Sequence, residues 1–246
     1  MKRLFDIFVS FLGLFIASPV LIVVIFIIWI QDFHSPFYIA SRVGKNGRLF
    51  KMVKLRSMIV NADSTGVDST ASNDRRITSV GHFVRRFKLD EFTQLFNVLL
   101  GDMSLVGPRP NVKRETDLYT MVEKKLLSVK PGITDFSSIV FADEGNILMY
   151  QSDPDIAYHQ LIRPGKSQLG LFYINHRNLF VDIALIFITL IGFISRKTSL
   201  YSLNLFLKRL NASDELCELA SRSKPLKPSP PPGATKIVIS RDGSTL

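Results

Sequence analysis

The sequence predicts a mixed α/β domain, mostly helical, carried on an N-terminal membrane helix, and three patterns lead there. Residues 4–30 are apolar apart from Asp6, a run longer than a soluble core helix needs and long enough for a bilayer. Asn46-Gly47 stands between two apolar runs, a strong hairpin signal, because both central residues of a type I′ turn take positive φ. Leu89, Phe92, Leu95, Phe96 and Leu99 recur at helical spacing. The chain then divides into a membrane-associated helix (1–32), one domain (33–200) and a C-terminal extension (201–246).

The helix at the start is expected to be retained. Trp29, Ile30, Gln31 and Asp32 follow it where a signal peptide would carry a small-residue cleavage site. Pro19 removes a backbone hydrogen bond and crowds the carbonyl of Phe15, so a bend or break is expected at Ser18-Pro19, softened by Ser18 bonding a carbonyl one turn back. The arms on either side would be only ~22 Å and ~18 Å long, short of a ~30 Å hydrocarbon core. Next come FYIASRV (37–43) and RLFKMVKLRSM (48–58) as hairpin strands, a polar loop over 59–78, and two helical pieces from Ser79. Asp90, Gln94 and Asn97 share the helix face opposite the apolar stripe. GDMSLVGPRP (101–110) is too rich in Gly and Pro for regular structure, and an amphipathic helix from Asn111 ends before Pro131-Gly132. LFVDIALIFITLIGFI (179–194) reaches only ~24 Å and is expected to be a packing or interfacial helix. From about residue 222 the proline-rich tail is expected to be disordered.

A net charge of +10 points to anionic partners: a phosphorylated substrate, an anionic membrane or nucleic acid. Nucleic acid is set aside, since neither interleaved aromatics nor a recognition motif accompanies the basic residues. One cysteine, Cys217, excludes an internal disulfide and suits a reducing compartment. The basic residues cluster at Lys54 and Arg56, at Arg75 and Arg76, at Arg85, Arg86 and Lys88, and at Arg109. Arg109 lies between two prolines, and a guanidinium on so fixed a backbone suits bidentate recognition of phosphate. The other clusters serve equally well as a face resting on anionic lipid. Walker A and GxGxxG sequences are missing, and the four histidines lack metal-ligand spacing.

Asp90-Glu91 heads the candidates for chemistry. Adjacent carboxylates on a helix diverge by ~100°, too far to share a proton but well placed for divided roles. An ionised Asp can attack phosphorus without a general base. Spacing alone favours the plainer reading, two acids in a helix's first turn where the macrodipole welcomes them.

Taken together, KRLFD at the start, Ser18-Pro19, SRVGKNGRLFKMVKLRSM, NDRRITSVG, LDEFTQLFNVLLGDMSLVGPRP and KPGIT (130–134) resemble the bacterial sugar transferase family, the monotopic polyprenyl-phosphate phosphoglycosyltransferases that initiate surface glycans. The resemblance implies that Asp90 attacks the sugar-bearing phosphorus of a UDP-sugar donor, releasing UMP, and that polyprenyl phosphate then takes the phosphosugar. It implies Glu91 as a ligand of Mg²⁺ (or Mn²⁺), Arg85 as a phosphate contact, and Lys54, Arg56 and Arg109 at the same anionic site. It implies a re-entrant N-terminal helix with interfacial amphipathic helices, and Lys2, Arg3, Ser18 and Pro19 in contact with membrane lipid. Charge agrees: basic residues flank both ends of the helix, so a hairpin keeps both on the cytoplasmic face of the bacterial inner membrane. The sequence neither requires nor excludes a homodimer. Two residues depart from the family pattern, Thr93 where proline is common after the acidic pair and Asp135 where glycine is common, the latter leaving sugar identity open. A non-catalytic adaptor of the same fold and a nucleotide-sugar hydrolase are the competing readings.

Overall fold

The computed structural model describes residues 1–62 and 70–241. Helix α1 runs over Lys2–Asp32 and is the one helix among the described residues long and apolar enough to cross a membrane. Of the bend or break expected at Ser18-Pro19, a break does not occur: the helix is continuous through Pro19. Proline leaves the Phe15 carbonyl without its amide partner, and the Ser18 hydroxyl donates to that carbonyl at 2.8 Å. Leu21, Val24 and Ile28 pack with Leu55 and Val84, while Phe8, Phe11, Phe15, Ile22 and Phe26 stay exposed on the outer side.

Polar contacts fix both ends of α1 to the rest of the fold. Lys2 pairs with buried Asp182, and Arg3 donates to the carbonyls of Val98 and Leu99. Buried Asp6 accepts from the Ser104 hydroxyl at 2.9 Å. At the far end, the Arg56 guanidinium donates twice to Asp32, both at 2.6 Å. Lys2 and Arg3, expected at lipid, thus also have partners within the fold, because a buried carboxylate and the uncapped end of a helix offer stronger partners than water does.

Strands β1 (Phe37–Val43) and β2 (Leu49–Leu55) pair antiparallel, with Val43 opposite Leu49. Asn46 at φ 57 and Gly47 at φ 76 turn the chain as the hairpin signal requires. Helices α2 (Ser79–Arg86), α3 (Leu89–Phe92) and α4 (Gln94–Leu100) follow, then β3 (Ser104–Val106) and α5 (Lys113–Asp117). The long amphipathic helix expected from Asn111 is only this one short turn of helix and a 3₁₀ segment at Glu123–Ser128. Strand β4 (Gly132–Thr134) pairs parallel with β3. Helices α6 (Phe136–Val140), α7 (Glu144–Leu148), α8 (Pro154–Ala157), α9 (Arg163–His176), α10 (Leu179–Ile194), α11 (Arg196–Arg209) and α12 (Asp214–Ser221) complete a mostly helical α/β fold. Phe136, Leu169, Tyr173, Leu185, Leu203 and Leu207 centre the core. Asp182, the one charge in the apolar run of α10, receives the Tyr173 hydroxyl at 2.7 Å besides Lys2. The outer face of α10 exposes Phe180, Phe187, Leu190 and Phe193.

The tail from 222 to 241 is not free of the domain, as its composition suggests. Thr120 donates to the Pro232 carbonyl, Gln160 to the Val238 carbonyl at 2.7 Å, and Arg241 to Asp153 at 2.9 Å. Val238 and Pro231 are buried. A proline-rich strand has little conformational entropy to lose, so a few carbonyl contacts and two apolar anchors suffice to hold it.

Candidate active site

The acidic pair is placed by a reversal of the backbone and by two side chains that tie its helices to β2. Lys88 takes a left-handed conformation (φ 52) between α2 and α3, an arrangement worth roughly 1–2 kcal/mol of strain for a residue with a side chain. The turn puts Asp90 and Glu91 in the first turn of α3. The Thr93 hydroxyl donates to the Val53 carbonyl at 3.2 Å, a contact that proline at this position could not make. Asn97 donates to the Lys51 carbonyl at 2.7 Å and accepts from the Val53 amide at 3.0 Å, filling the open edge of β2. Lys54, the next residue on that strand, reaches 3.8 Å from Asp90 Oδ2.

Arg109 arrives from the opposite side on a turn held by close backbone contact. Gly107 donates to the Thr134 carbonyl and Gly132 to the Pro108 carbonyl, both at 3.0 Å. The two glycines lie so near each other that a Cβ on Gly132 would overlap the Gly107 amide. From that fixed turn, Arg109 Nη2 donates to Glu91 Oε1 at 2.9 Å. Arg85 donates from Nε to the Ser57 hydroxyl at 2.9 Å and lines the same cleft.

These neighbours pull the two carboxyls apart electrostatically. Burial pushes Asp90 above the usual carboxylate range, and Lys54 only partly offsets it. Burial would raise Glu91 too, but Arg109, Lys88 and Lys54 outweigh it and hold the carboxylate at about 2. Lys54 is lowered by burial and by the nearby Arg109 charge. The result is one carboxylate locked in its charged form and one whose charge is less stabilised and therefore more basic.

Asp90 opens on two adjoining cavities of about 560 and 700 Å³, both also lined by Arg42, Lys54 and Arg85. Glu91 and Lys88 additionally border a third space, an apolar groove of about 330 Å³ between α1, α4, α6 and α10. Leu95, Ile133, Ile186, Leu190 and Phe193 line it, with Arg196 at its edge. The acidic pair thus sits where a cationic cleft meets an apolar groove.

Of the residues the sequence singles out, Asp90, Glu91, Lys54, Arg85 and Arg109 come together here. Arg56 lines the second of the two cavities, but both of its terminal nitrogens are committed to Asp32, whose carboxyl this pairing, against a small burial cost, holds at about 2. Lys88, Gln94, Glu115 and Lys166 also line the cleft. Gln94 had a visible signal in its place on the Asp90 face; Glu115 and Lys166 are distant in sequence and had none. Among the described residues, no three His, Cys, Asp or Glu side chains converge as a metal cage. Mg²⁺ in nucleotide sites needs only one or two carboxylates with phosphate oxygens, and Glu91 is a carboxylate on the wall of this cleft.

The chain was compared with known proteins. The sequence pattern of the bacterial sugar transferase family matches residues 1–196. A UDP-galactose-lipid carrier transferase of Erwinia amylovora is 32% identical over 216 residues, covering 82% of this chain and 42% of the relative. The exopolysaccharide production protein ExoY of Sinorhizobium fredii is 30% identical over 204 residues, covering 77% and 83%. A UDP-glucose:undecaprenyl-phosphate glucose-1-phosphate transferase of Klebsiella pneumoniae is 34% identical over 199 residues, covering 79% and 40%. The chain therefore spans about two fifths of the first and third of these proteins and most of the second. With four fifths of its length inside the family pattern, and the acidic pair, Arg85 and Arg109 gathered in one cleft, the chain belongs to the bacterial sugar transferase family.

Proposed function

We propose that the protein transfers a sugar phosphate from a UDP-sugar to polyprenyl phosphate at a membrane surface. The observation that carries this reading is the position of Asp90-Glu91 at the junction of a cationic cleft and an apolar groove. A nucleotide sugar needs the first, and a phosphate on an isoprenoid chain needs both. The names of the relatives agree, pairing a nucleotide sugar with a lipid or undecaprenyl-phosphate acceptor.

In this reading Asp90 attacks the phosphorus that carries the sugar. A carboxylate O–P bond forms, the P–O bond to UMP breaks, and UMP departs with its electron pair. The acceptor phosphate oxygen then attacks the same phosphorus and returns Asp90 as a free carboxylate, leaving a polyprenyl diphosphate sugar. Lys54, Arg85 and Arg109 offset the charge of donor, leaving group and acceptor in turn. Mg²⁺ or Mn²⁺, bound through Glu91, would neutralise pyrophosphate charge. Burial of Asp90 makes it the stronger base of the pair, which favours attack by Asp90 over attack by Glu91.

The same reading places the domain on the cytoplasmic face of the bacterial inner membrane, with α1 entering and leaving on one side. The contacts at both ends of α1 support it. A helix of 31 residues is ~47 Å long, and a crossing helix could not return both Lys2 and Asp32 to one domain lying beside the bilayer. The exposed aromatic faces of α1 and α10 then meet lipid. In a Cys217→Ser background, a cysteine placed at Lys2 should react with an impermeant maleimide only after lysis; labelling in intact spheroplasts would refute the re-entrant placement.

The test of function is to incubate the purified protein with polyprenyl phosphate and a panel of UDP-sugars, measuring UMP and lipid product. One sugar should give both, in equal amounts. Free sugar phosphate without lipid product would mean hydrolysis, and no UMP from any donor would mean a non-catalytic adaptor.

A further inference from the structure

Gln94 is 1% exposed, and its side-chain nitrogen has no hydrogen-bond partner among the described residues. A buried amide left unmet is uncommon and costly, since its water was stripped and nothing replaced it. The side chain is nevertheless part of the cleft wall. It begins α4, and Thr93, the residue before it, is itself helical, so the chain from Asp90 to Gln94 winds as one turn. Side chains four apart on such a turn are neighbours, about 5–6 Å between their Cβ atoms. Every other polar group tying this turn to β2 is satisfied: Thr93 bonds Val53, and Asn97 bonds Lys51 and Val53. Gln94 alone on this face is left with a free donor.

We infer that Gln94 is a catalytic residue whose amide donates to a phosphoryl oxygen once phosphorus is bonded to Asp90. The inference rests on the function proposed above and assigns one more group to it. In the resting protein the carboxylate of Asp90 lies toward Lys54, and the Gln94 donor is idle. When Asp90 attacks, three phosphoryl oxygens with rising negative charge come to its side of the helix, and the idle donor acquires an acceptor. An interaction absent at rest and present during transfer lowers the barrier without tightening donor binding. The free amide is then a cost carried by the ground state and relieved during reaction.

Gln94→Met tests this. It keeps the length and removes both N–H groups. The melting temperature should stay the same or rise, because an unmet polar group is gone. Single-turnover UMP release should slow by about 10²-fold, the usual loss for one preorganised donor, with little change in the KM for the UDP-sugar. Gln94→Glu, which keeps the shape and presents oxygen in place of nitrogen, should be slower still and provides the second variant if methionine disturbs folding. UMP release at the wild-type rate in folded Gln94→Met overturns the inference. So does a loss confined to KM, or a loss that only tracks a fall in melting temperature. Mass spectrometry of the wild type with donor alone separates the two claims. Without a phosphosugar adduct on Asp90 the covalent reading itself fails; with that adduct, and equally fast adduct formation in Gln94→Met, only the role of Gln94 fails.

Discussion

Two of the buried charged clusters in this fold are finished to different degrees. Around Glu123 every valence is used. Its two oxygens accept from Arg163 at 3.0 and 2.6 Å, from Ser167 at 2.7 Å and from the Thr120 amide at 3.0 Å. Arg163 also donates to the Leu118 carbonyl and faces the ring of His159, which burial and the Arg163 charge hold neutral, at about 4. Around Asp90 the pairing is loose, with Lys54 at 3.8 Å and the Gln94 amide idle. Saturated charge fixes structure, because any change leaves an unpaired ion in a poor solvent. Unsaturated charge keeps the capacity to bind something else. The two clusters should therefore answer mutation in opposite currencies, one in stability and the other in rate.

Asp90→Asn gives the largest effect. A carboxamide cannot form the acyl phosphate, so UMP release should fall by more than about 10⁴-fold. The melting temperature should hold or rise, since a poorly paired buried charge is removed. Residual turnover within tenfold of wild type would end the covalent mechanism.

Glu123→Gln is the mirror image. It strands the Arg163 charge, and unfolding free energy should drop by about 3–5 kcal/mol, read by urea titration in detergent. Activity per folded molecule should be nearly unchanged. Equal losses of stability and specific activity would erase the distinction between the clusters.

The pH profile sharpens it further. Asp90 must be ionised to attack, and its pKa lies above the ordinary Asp value of about 3.9, so UMP release should fail on the acid side at a higher pH than a surface Asp would dictate. Lys54 favours the ionised form. Removing it in Lys54→Met should raise the Asp90 pKa and move the acid limb upward, with a rate loss of about tenfold at neutral pH. A limb that stays in place would show that Lys54 does not bear on Asp90.

The smallest effect belongs to the tail. Composition alone argues that deleting residues 225–246 changes nothing. The docking of Pro231, Pro232 and Val238 argues for a loss of about 1–2 kcal/mol, a few degrees in melting temperature, with specific activity preserved. An unchanged melting curve would restore the compositional view.

What could be read from the sequence follows the same division. The hairpin at Asn46-Gly47 was legible because its cause is local, two positive φ angles that few residues tolerate. Asp90, Glu91, Lys54, Arg85 and Arg109 were legible as a site through the resemblance, since the spacing of the acidic pair alone suited a helix start equally well. The partners of Arg56, Lys2 and Arg3 were not legible, for one shared reason. A basic side chain goes to its best carboxylate or carbonyl, and those partners lie at Asp32, Asp182, Val98 and Leu99, which pairwise spacing cannot reveal. The tail was misread because disorder was inferred from what it lacks, while a handful of carbonyls and two apolar anchors hold it.

The anchoring of α1 sets an order of events during synthesis. Asp6 meets Ser104 only after 98 further residues have been made, and Lys2 meets Asp182 only after 180. At about 5–20 residues per second, Lys2 waits on the order of ten to forty seconds for Asp182. In the membrane placement proposed above, Lys2 would face anionic lipid headgroups during that interval, the contact that the family resemblance implies. Ribosome-bound chains arrested before Asp182 should accordingly bind vesicles more tightly when anionic lipid is present, while completed chains should show less of that dependence.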